Sequence, residues 1–418
     1  MSRRAPSSIL RALGPGLLVA ATGVGAGDLA TGAISGSLLG TAVLWAGLVG
    51  AAFKFVLSEG LTRWQLATGQ TLLEGVMVRL ARPMRLLFLL YLLPWTFFVG
   101  GALVSACGVT AHAMLPLFET PEQGKVFFGI LHSFLGLILV RRGSYALFER
   151  LMGVCIGFMV VTVVVTAILL RPDWSAVAAG CLRPSLPDAG GEGLAWTVAL
   201  IGGVGGTLTI LCYGYWIRES GRTSPDDLGL CRLDLLSGYF VTALFCVAMV
   251  VIGSTIEVEG SGAGLIVTLA DRLEQPLGPA GRWAFLIGAW GAVFSSLLGV
   301  WQAVPYLFAD FWRLRGVERG ASPVGQVALD ITSAPYRAYL YAIAFVPLLG
   351  LAIEFKVIQK TYAIVGALFV PILAATLLVL NGRAAWVGAR HTNRPLTVIA
   401  LVAILAFFAY AGWLGLTR

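Results

Sequence analysis

Charge is what this sequence has least of. Only 12% of its 418 residues are Asp, Glu, Lys or Arg, while 58% are hydrophobic. Soluble domains carry about twice that share of charge, so a reading as two or three soluble domains is excluded. Histidine is nearly absent, with three residues and no His-x-x-x-His. The six cysteines have neither metal-site nor disulfide spacing and lie mostly inside apolar runs, where they read as small packing residues. The apolar runs hold no paired acids and no Ser/His pair, so the chain does not read as an enzyme. No cleavable signal is visible: Met1 to Arg11 is a short basic arm without a cleavage site after a short apolar core.

What recurs instead is the apolar run of about 20 residues, long enough to span a bilayer as a helix. Hydropathy places roughly eleven spans, at 13–40, 41–62, 84–115, 124–141, 146–170, 194–217, 234–256, 282–308, 338–353, 358–381 and 395–416. The expected fold class is therefore an all-α polytopic membrane protein. Twenty of the 29 basic residues fall on the N-terminal arm and every second loop, eight on the opposite side, and Lys54 inside the second span. This positive-inside bias puts the N-terminus in the cytoplasm and, with an odd number of spans, the C-terminus outside. The expected location is the plasma (inner) membrane, multi-pass. The basic excess is thus a topology signal and not a nucleic-acid footprint; the expected partners are the bilayer and a small inorganic ion, handled by a monomeric unit.

Two spans are interrupted. In the first, Gly23-Val24-Gly25-Ala26-Gly27-Asp28 puts three glycines and an acid where leucines belong. In the sixth, Gly202-Gly203-Val204-Gly205-Gly206-Thr207 does the same. Membrane-buried backbone leaves the helix only where protein encloses it or a polar cavity borders it. Paired interrupted spans in two halves of a chain point to a transporter binding site, and five spans per half make the repeats inverted. The expected organisation is an arm at 1–12, a first repeat at 13–170, an extracellular loop at 171–193, a second repeat at 194–381, and a loop with an eleventh span at 382–418. The outside segments are expected to hold a short helix within 171–193 and an amphipathic run, Leu265 to Leu273, lying along the interface.

The candidate substrate-binding residues are Thr22, Gly23, Val24, Gly25, Ala26, Gly27 and Asp28 in the first break, and Gly203, Gly205, Gly206, Thr207 and Thr209 in the second. Asp28 is the one acid in the first break and the one candidate for a metal; as an Asp at the start of a half-helix it also fits an N-cap. The glycines fit exposed backbone lining a site, or close helix packing. The threonines offer hydroxyls, or satisfy their own helices. Lys54 and Glu59 are five apart, poorly placed to pair with each other; they read as snorkelling or pairing with other spans, or as gating residues. Ser295, Ser296 and Gln302 in the eighth span are further cavity candidates. His112 and His132, near membrane edges, read as structural, and Arg218 and Glu219 as interfacial.

The opening Gly14-Pro15-Gly16, the Leu-Ala-Thr-Gly at Leu29 to Gly32, the Leu-Ala-Thr-Gly-Gln-Thr-Leu-Leu-Glu-Gly at Leu66 to Gly75 and the stretch Gly143 to Gly153 resemble the Nramp family of divalent-metal transporters. The resemblance implies the fold of the amino-acid transporter LeuT, a 5+5 inverted repeat with discontinuous helices 1 and 6. It also implies where the family's metal ligands would stand. The family's Asp-Pro-Gly-Asn falls on Gly25, Ala26, Gly27 and Asp28, and its Met-Pro-His on Gly206, Thr207 and Leu208, within one position. The acids that the family uses for proton transfer in span three are missing, since Leu86 to Leu115 holds neither Asp nor Glu.

A site with one carboxylate and no sulfur ligand suits a transition metal poorly. Glycine-rich turns at half-helix N-termini favour negative charge. The expected function is a secondary transporter of a small oxyanion such as bicarbonate, with no cofactor and Na+ or H+ as a possible coupling ion. The alternatives are import of a divalent cation, Mg2+-like before Mn2+, as the family implies, and from other classes an intramembrane enzyme or a channel.

Overall fold

The computed structural model describes residues 14–80, 83–142, 145–188, 192–257, 262–316 and 330–417. The arm at 1–12 lies outside the described residues. Those residues form helices and turns, with no strand among them. The helices are α1 (Gly14–Gly23), α2 (Gly32–Leu39), α3 (Leu44–Thr68), α4 (Leu72–Arg79), α5 (Pro83–Met114), α6 (Pro121–Arg142), α7 (Tyr145–Leu169), α8 (Trp174–Leu182) and α9 (Glu192–Gly203). They continue with α10 (Tyr213–Glu219), α11 (Leu228–Gly253), α12 (Leu265–Leu314), α13 (Ala334–Phe345), α14 (Phe355–Ala367), α15 (Phe369–Leu380), α16 (Ala384–Val387) and α17 (Pro395–Thr417).

Among the described residues nine helical segments are long and apolar enough to cross a membrane. The difference from eleven has a physical origin. One segment, Asp28–Thr68, runs the second half of span one into span two, with only Gly40 at φ +66° between them. The fifth span appears as the shorter apolar helix Gly153–Leu169. Apolar side chains face outward along the helices as well as inward. On α6, Phe127, Leu131, Phe134 and Ile138 form an exposed stripe at helical spacing, which is the face a bilayer covers.

The core is built on close approach. Helix α11 lies along both halves of the first span with glycine at the contacts. A Cβ on Gly36 would sit 2.2 Å from the Val250 carbonyl oxygen, and one on Gly253 would sit 2.2 Å from that of Ala33. At the other end, a Cβ on Gly238 would lie 2.5 Å from the Gly16 oxygen. Backbone therefore meets backbone at both ends of the pair, as small residues permit in membrane helices.

The outside segments differ in how well they fit the expectations. Helix α8 is the short helix of the 171–193 loop, capped by Asp173, whose side chain accepts from the Ser175 and Ala176 amides at 2.9 and 3.3 Å. The Leu265–Leu273 run is helical but is corrected in its placement: Leu265, Ile266, Leu269, Ala270 and Leu273 are all buried in the protein core. Its apolar face is spent on the protein, with Asp271 and Arg272 outward. Gly278, at φ +65°, then turns the chain into the eighth span.

Candidate functional site

Both interruptions are real and they touch. Helix α1 ends at Gly23, and after Val24 and Gly25 the chain resumes as a π-helical turn over Ala26–Thr31 before α2. Helix α9 ends at Gly203; Val204 to Thr207 is non-helical, and a 3-10 turn over Leu208–Cys212 leads into α10. A Cβ on Gly23 would lie 2.7 Å from the Gly205 carbonyl carbon and the Gly206 nitrogen. The two breaks are thus in backbone contact, which the absence of side chains at Gly23, Gly205 and Gly206 makes possible.

The side chains of the first break divide by task. Thr22 donates to the Leu18 carbonyl at 2.6 Å, so its hydroxyl is satisfied within its own helix. Val24 is fully buried and its amide continues the helix to Ala20. Gly25 gives room to Ser296: a Cβ there would be 2.2 Å from the Ser296 Oγ, which itself donates to the Ala21 carbonyl at 2.8 Å. Ala26 and Gly27 contribute backbone to the π-helical turn. Asp28 is fully buried. Its Oδ2 accepts from the Gly205 amide of the second break at 3.4 Å, and its Oδ1 has no hydrogen-bond partner. It is not the cap of its own half-helix; that position is Gly25, where no side-chain cap bond is made.

In the second break, Gly203 closes α9 in a buried position. Gly205 and Gly206 have φ of +72° and +81°, backbone that L side chains rarely adopt. Thr207 is buried and its Oγ1 accepts from the Trp95 indole at 2.7 Å. Thr209 lies against Gly206, where a Cβ would be 2.6 Å from its Oγ1. Ser295 bonds only its own helix, to Ala292 at 2.9 Å, and Gln302 is shared by Trp216 and Tyr306.

The residue that sequence reasoning undervalued is Lys54. It does not snorkel: it is fully buried, and its Nζ donates to the carbonyls of Gly202, Val204 and Gly206 at 2.9, 2.9 and 2.7 Å. An ammonium has three donors, and here one goes to the last turn of α9 and two to the unwound segment after it. Helix α3 comes close enough to deliver it because Gly50 has no side chain; a Cβ there would be 2.9 Å from the Ile201 oxygen. Carbonyls at the C-terminal end of α9 are orphaned and carry the negative end of its dipole, so a cation is well placed. Lys54 and Asp28 both bond Gly205–Gly206, at the Gly206 carbonyl and the Gly205 amide, and attract each other. The signal available in the sequence was a lysine deep inside an apolar span; which backbone it reached was not. Glu59 does pair with other groups, with Arg232 at 2.6 Å and Arg63 at 3.4 Å. Among the described residues no group of three or more His, Cys, Asp and Glu could hold a metal ion.

On the arginine-rich side of the breaks, two carboxylates tie helix ends together. Asp234 accepts from the Gly16 amide at 2.8 Å, the Tyr213 hydroxyl at 2.9 Å and Arg222 at 2.8 Å. Asp310 accepts from Thr71 at 3.0 Å, Tyr215 at 2.7 Å and Arg313 at 2.7 Å. The Asp234 bonds thereby tie the start of the first span to α10 and α11.

Comparisons with known proteins agree with this architecture. A family model described as natural resistance-associated macrophage protein-like (Nramp) matches residues 16–417. The divalent metal cation transporter MntH of Deinococcus radiodurans is 25% identical over 97% of this chain and 89% of its own length. A crystal structure of a mutant manganese transporter from Eremococcus coleocola has a TM-score of 0.70 at 18% identity, over 97% of this chain and 88% of that one. The structure of MhsT in complex with L-phenylalanine has a TM-score of 0.61 at 16% identity, over 98% of each chain. At these identities the two structures speak for the fold.

Proposed function

Because this chain belongs to the Nramp family, we propose that it moves a small inorganic ion across the plasma membrane as a secondary transporter, by alternating access around the two breaks. The repeats at 13–170 and 194–381 would rock against each other, with the N-terminus cytoplasmic and one chain as the working unit. The relatives are named as metal cation transporters, not as enzymes.

The geometry favours a small oxyanion such as bicarbonate as the substrate. One observation carries this: the carbonyls that a bound cation would use in the second break are filled by the Lys54 ammonium. A dication arriving beside it meets a buried like charge, which a low-dielectric interior makes costly. Asp28, which would repel an anion, faces that ammonium and is offset by it. The first turns of both second half-helices lack side-chain caps, leaving amide donors for an anion.

A divalent cation is the second reading. The printed names of the relatives support it and none of them supports an anion. In this chain it has one supporting feature, the unpartnered Oδ1 of Asp28. Uptake of labelled bicarbonate and of magnesium into proteoliposomes separates the two. Asp28→Asn keeps the accepting oxygen and removes the charge, so bicarbonate uptake should persist. Collapse of magnesium uptake in Asp28→Asn, with no bicarbonate flux in the wild type, would establish the cation instead.

A further inference from the structure

We infer that Lys54 is a tethered cation: its ammonium permanently fills a carbonyl-lined cation position in the second break, so the site needs no soluble sodium there. The inference rests on reading the paired breaks as the transport site, and concerns what that site binds besides its substrate. Three features of the chain support it. The carbonyls of Gly202, at the last turn of α9, and of Val204 and Gly206, in the unwound segment after it, converge on a single point at 2.7–2.9 Å. Converging backbone carbonyls that replace a hydration shell are how proteins hold a bare monovalent cation in a membrane. The left-handed backbone at Gly205 and Gly206 shapes that segment, so two residue positions are committed to the cage. A counter-carboxylate is bonded to the same segment, with Asp28 Oδ2 on the Gly205 amide and Oδ1 unpartnered.

A merely structural role for Lys54, capping the C-terminal carbonyls of α9, makes a different prediction. A cap that only fills hydrogen bonds is lost on truncation and is not restored by an ion in solution. A tethered cation leaves behind a cage with a charge preference. Removing the tether should therefore turn a cation-independent protein into a cation-dependent one.

The test uses the purified full chain in detergent without any transport substrate, so it is unaffected by whether the substrate is an oxyanion or a divalent cation. Thermal unfolding of wild type, Lys54→Ala and Lys54→Met is followed at constant ionic strength in ammonium, methylammonium, sodium, potassium or choline chloride. Wild type should unfold at one temperature in all five. Lys54→Ala should unfold lower in choline and be raised by a few degrees, saturably, by at least one of the small cations, as linkage to a native-state site requires. Lys54→Met, which refills the space without donors, should show no such recovery. A Lys54→Ala protein indifferent to every small cation would overturn the inference. So would a wild-type protein stabilised by sodium over choline, an outcome that can be read even if neither variant folds.

Discussion

The two breaks are similarly rich in glycine and are built by different physics. In the first, no residue from Gly14 to Leu39 has a positive φ; its glycines are there for room. Gly23 admits the backbone of Gly205 and Gly206, and Gly25 admits Ser296. The chain leaves the helix only at Val24 and Gly25, with Gly25 at φ −76° and ψ −121°, and resumes as a π-helical turn. In the second, Gly205 and Gly206 are there for conformation, both left-handed, and a lysine from another helix satisfies two carbonyls of the segment they shape and one at the end of α9. The first break supplies a carboxylate and the second supplies carbonyls. A glycine in a broken membrane helix can therefore serve space or torsion, and a substitution separates the two uses.

The largest expected effect comes from filling the space between the breaks. Gly23→Val places carbon against backbone that cannot yield, at 2.7 Å, and overpacking of this kind costs about 1–3 kcal/mol. Proteoliposome uptake of the substrate should be abolished while the protein still inserts; uptake at the wild-type rate would mean that the breaks do not touch in the working protein. Next in size is a torsional change at the second break. Gly205→Ala forces a side chain into left-handed backbone, at about 1–2 kcal/mol, and brings its Cβ to 2.9 Å from the Tyr239 ring. It should move the Gly206 carbonyl off Lys54 and slow uptake severalfold; unchanged uptake at unchanged stability would remove torsion as the reason for that glycine.

A left-handed glycine away from the breaks sharpens the comparison. Gly69, at φ +71°, ends α3 and its amide bonds the Gln65 carbonyl. Gly69→Ala should lower stability by roughly 1 kcal/mol and leave uptake per folded molecule as it was. A drop in turnover there would show that helix ends, and not the breaks alone, set the rate. The smallest effect is outside the spans. Hydrogen bonds from Ser175 and from the Ala176 and Ser175 amides hold the Asp173 carboxyl below the usual carboxylate range. A depressed carboxyl contributes stability above its unfolded value, and that contribution fades as the pH falls through the folded one. Amide exchange across Trp174–Leu182 should quicken in Asp173→Ala at neutral pH, with no change in uptake. In the wild type the same quickening should appear only in acid, below the usual carboxylate range.

The sequence displayed the breaks because glycine and Asp28 are conspicuous against an apolar background, and the spans because apolar runs of about 20 residues recur along it. The fold was legible to that extent. The roles inside the site were not, and the reason is distance along the chain. Lys54 meets carbonyls 148, 150 and 152 residues away, and Trp95 meets Thr207 across 112 residues. Periodicity is a local signal and cannot register such partners. The same limit misplaced the Leu265–Leu273 run: its amphipathic pattern predicts a buried face, yet pattern alone does not distinguish lipid from protein as the cover. Thr22 shows the opposite case, since a threonine that bonds the carbonyl four residues back is decided locally.

Helix α11 has one more consequence. It meshes with α2 through Gly36 and Gly253 and with α1 through Gly16 and Gly238, so it works as a splint along a broken rod. The two halves of the first span are held in line by a neighbour and not by their own backbone. A splinted rod stays straight while both ends are bound and folds at the fracture when one is untied. At the α1 end the binding includes the Gly16 amide on Asp234, and the fracture lies at Val24 and Gly25. Under the proposed rocking of the repeats, that fracture is where the first span can hinge without bending either half.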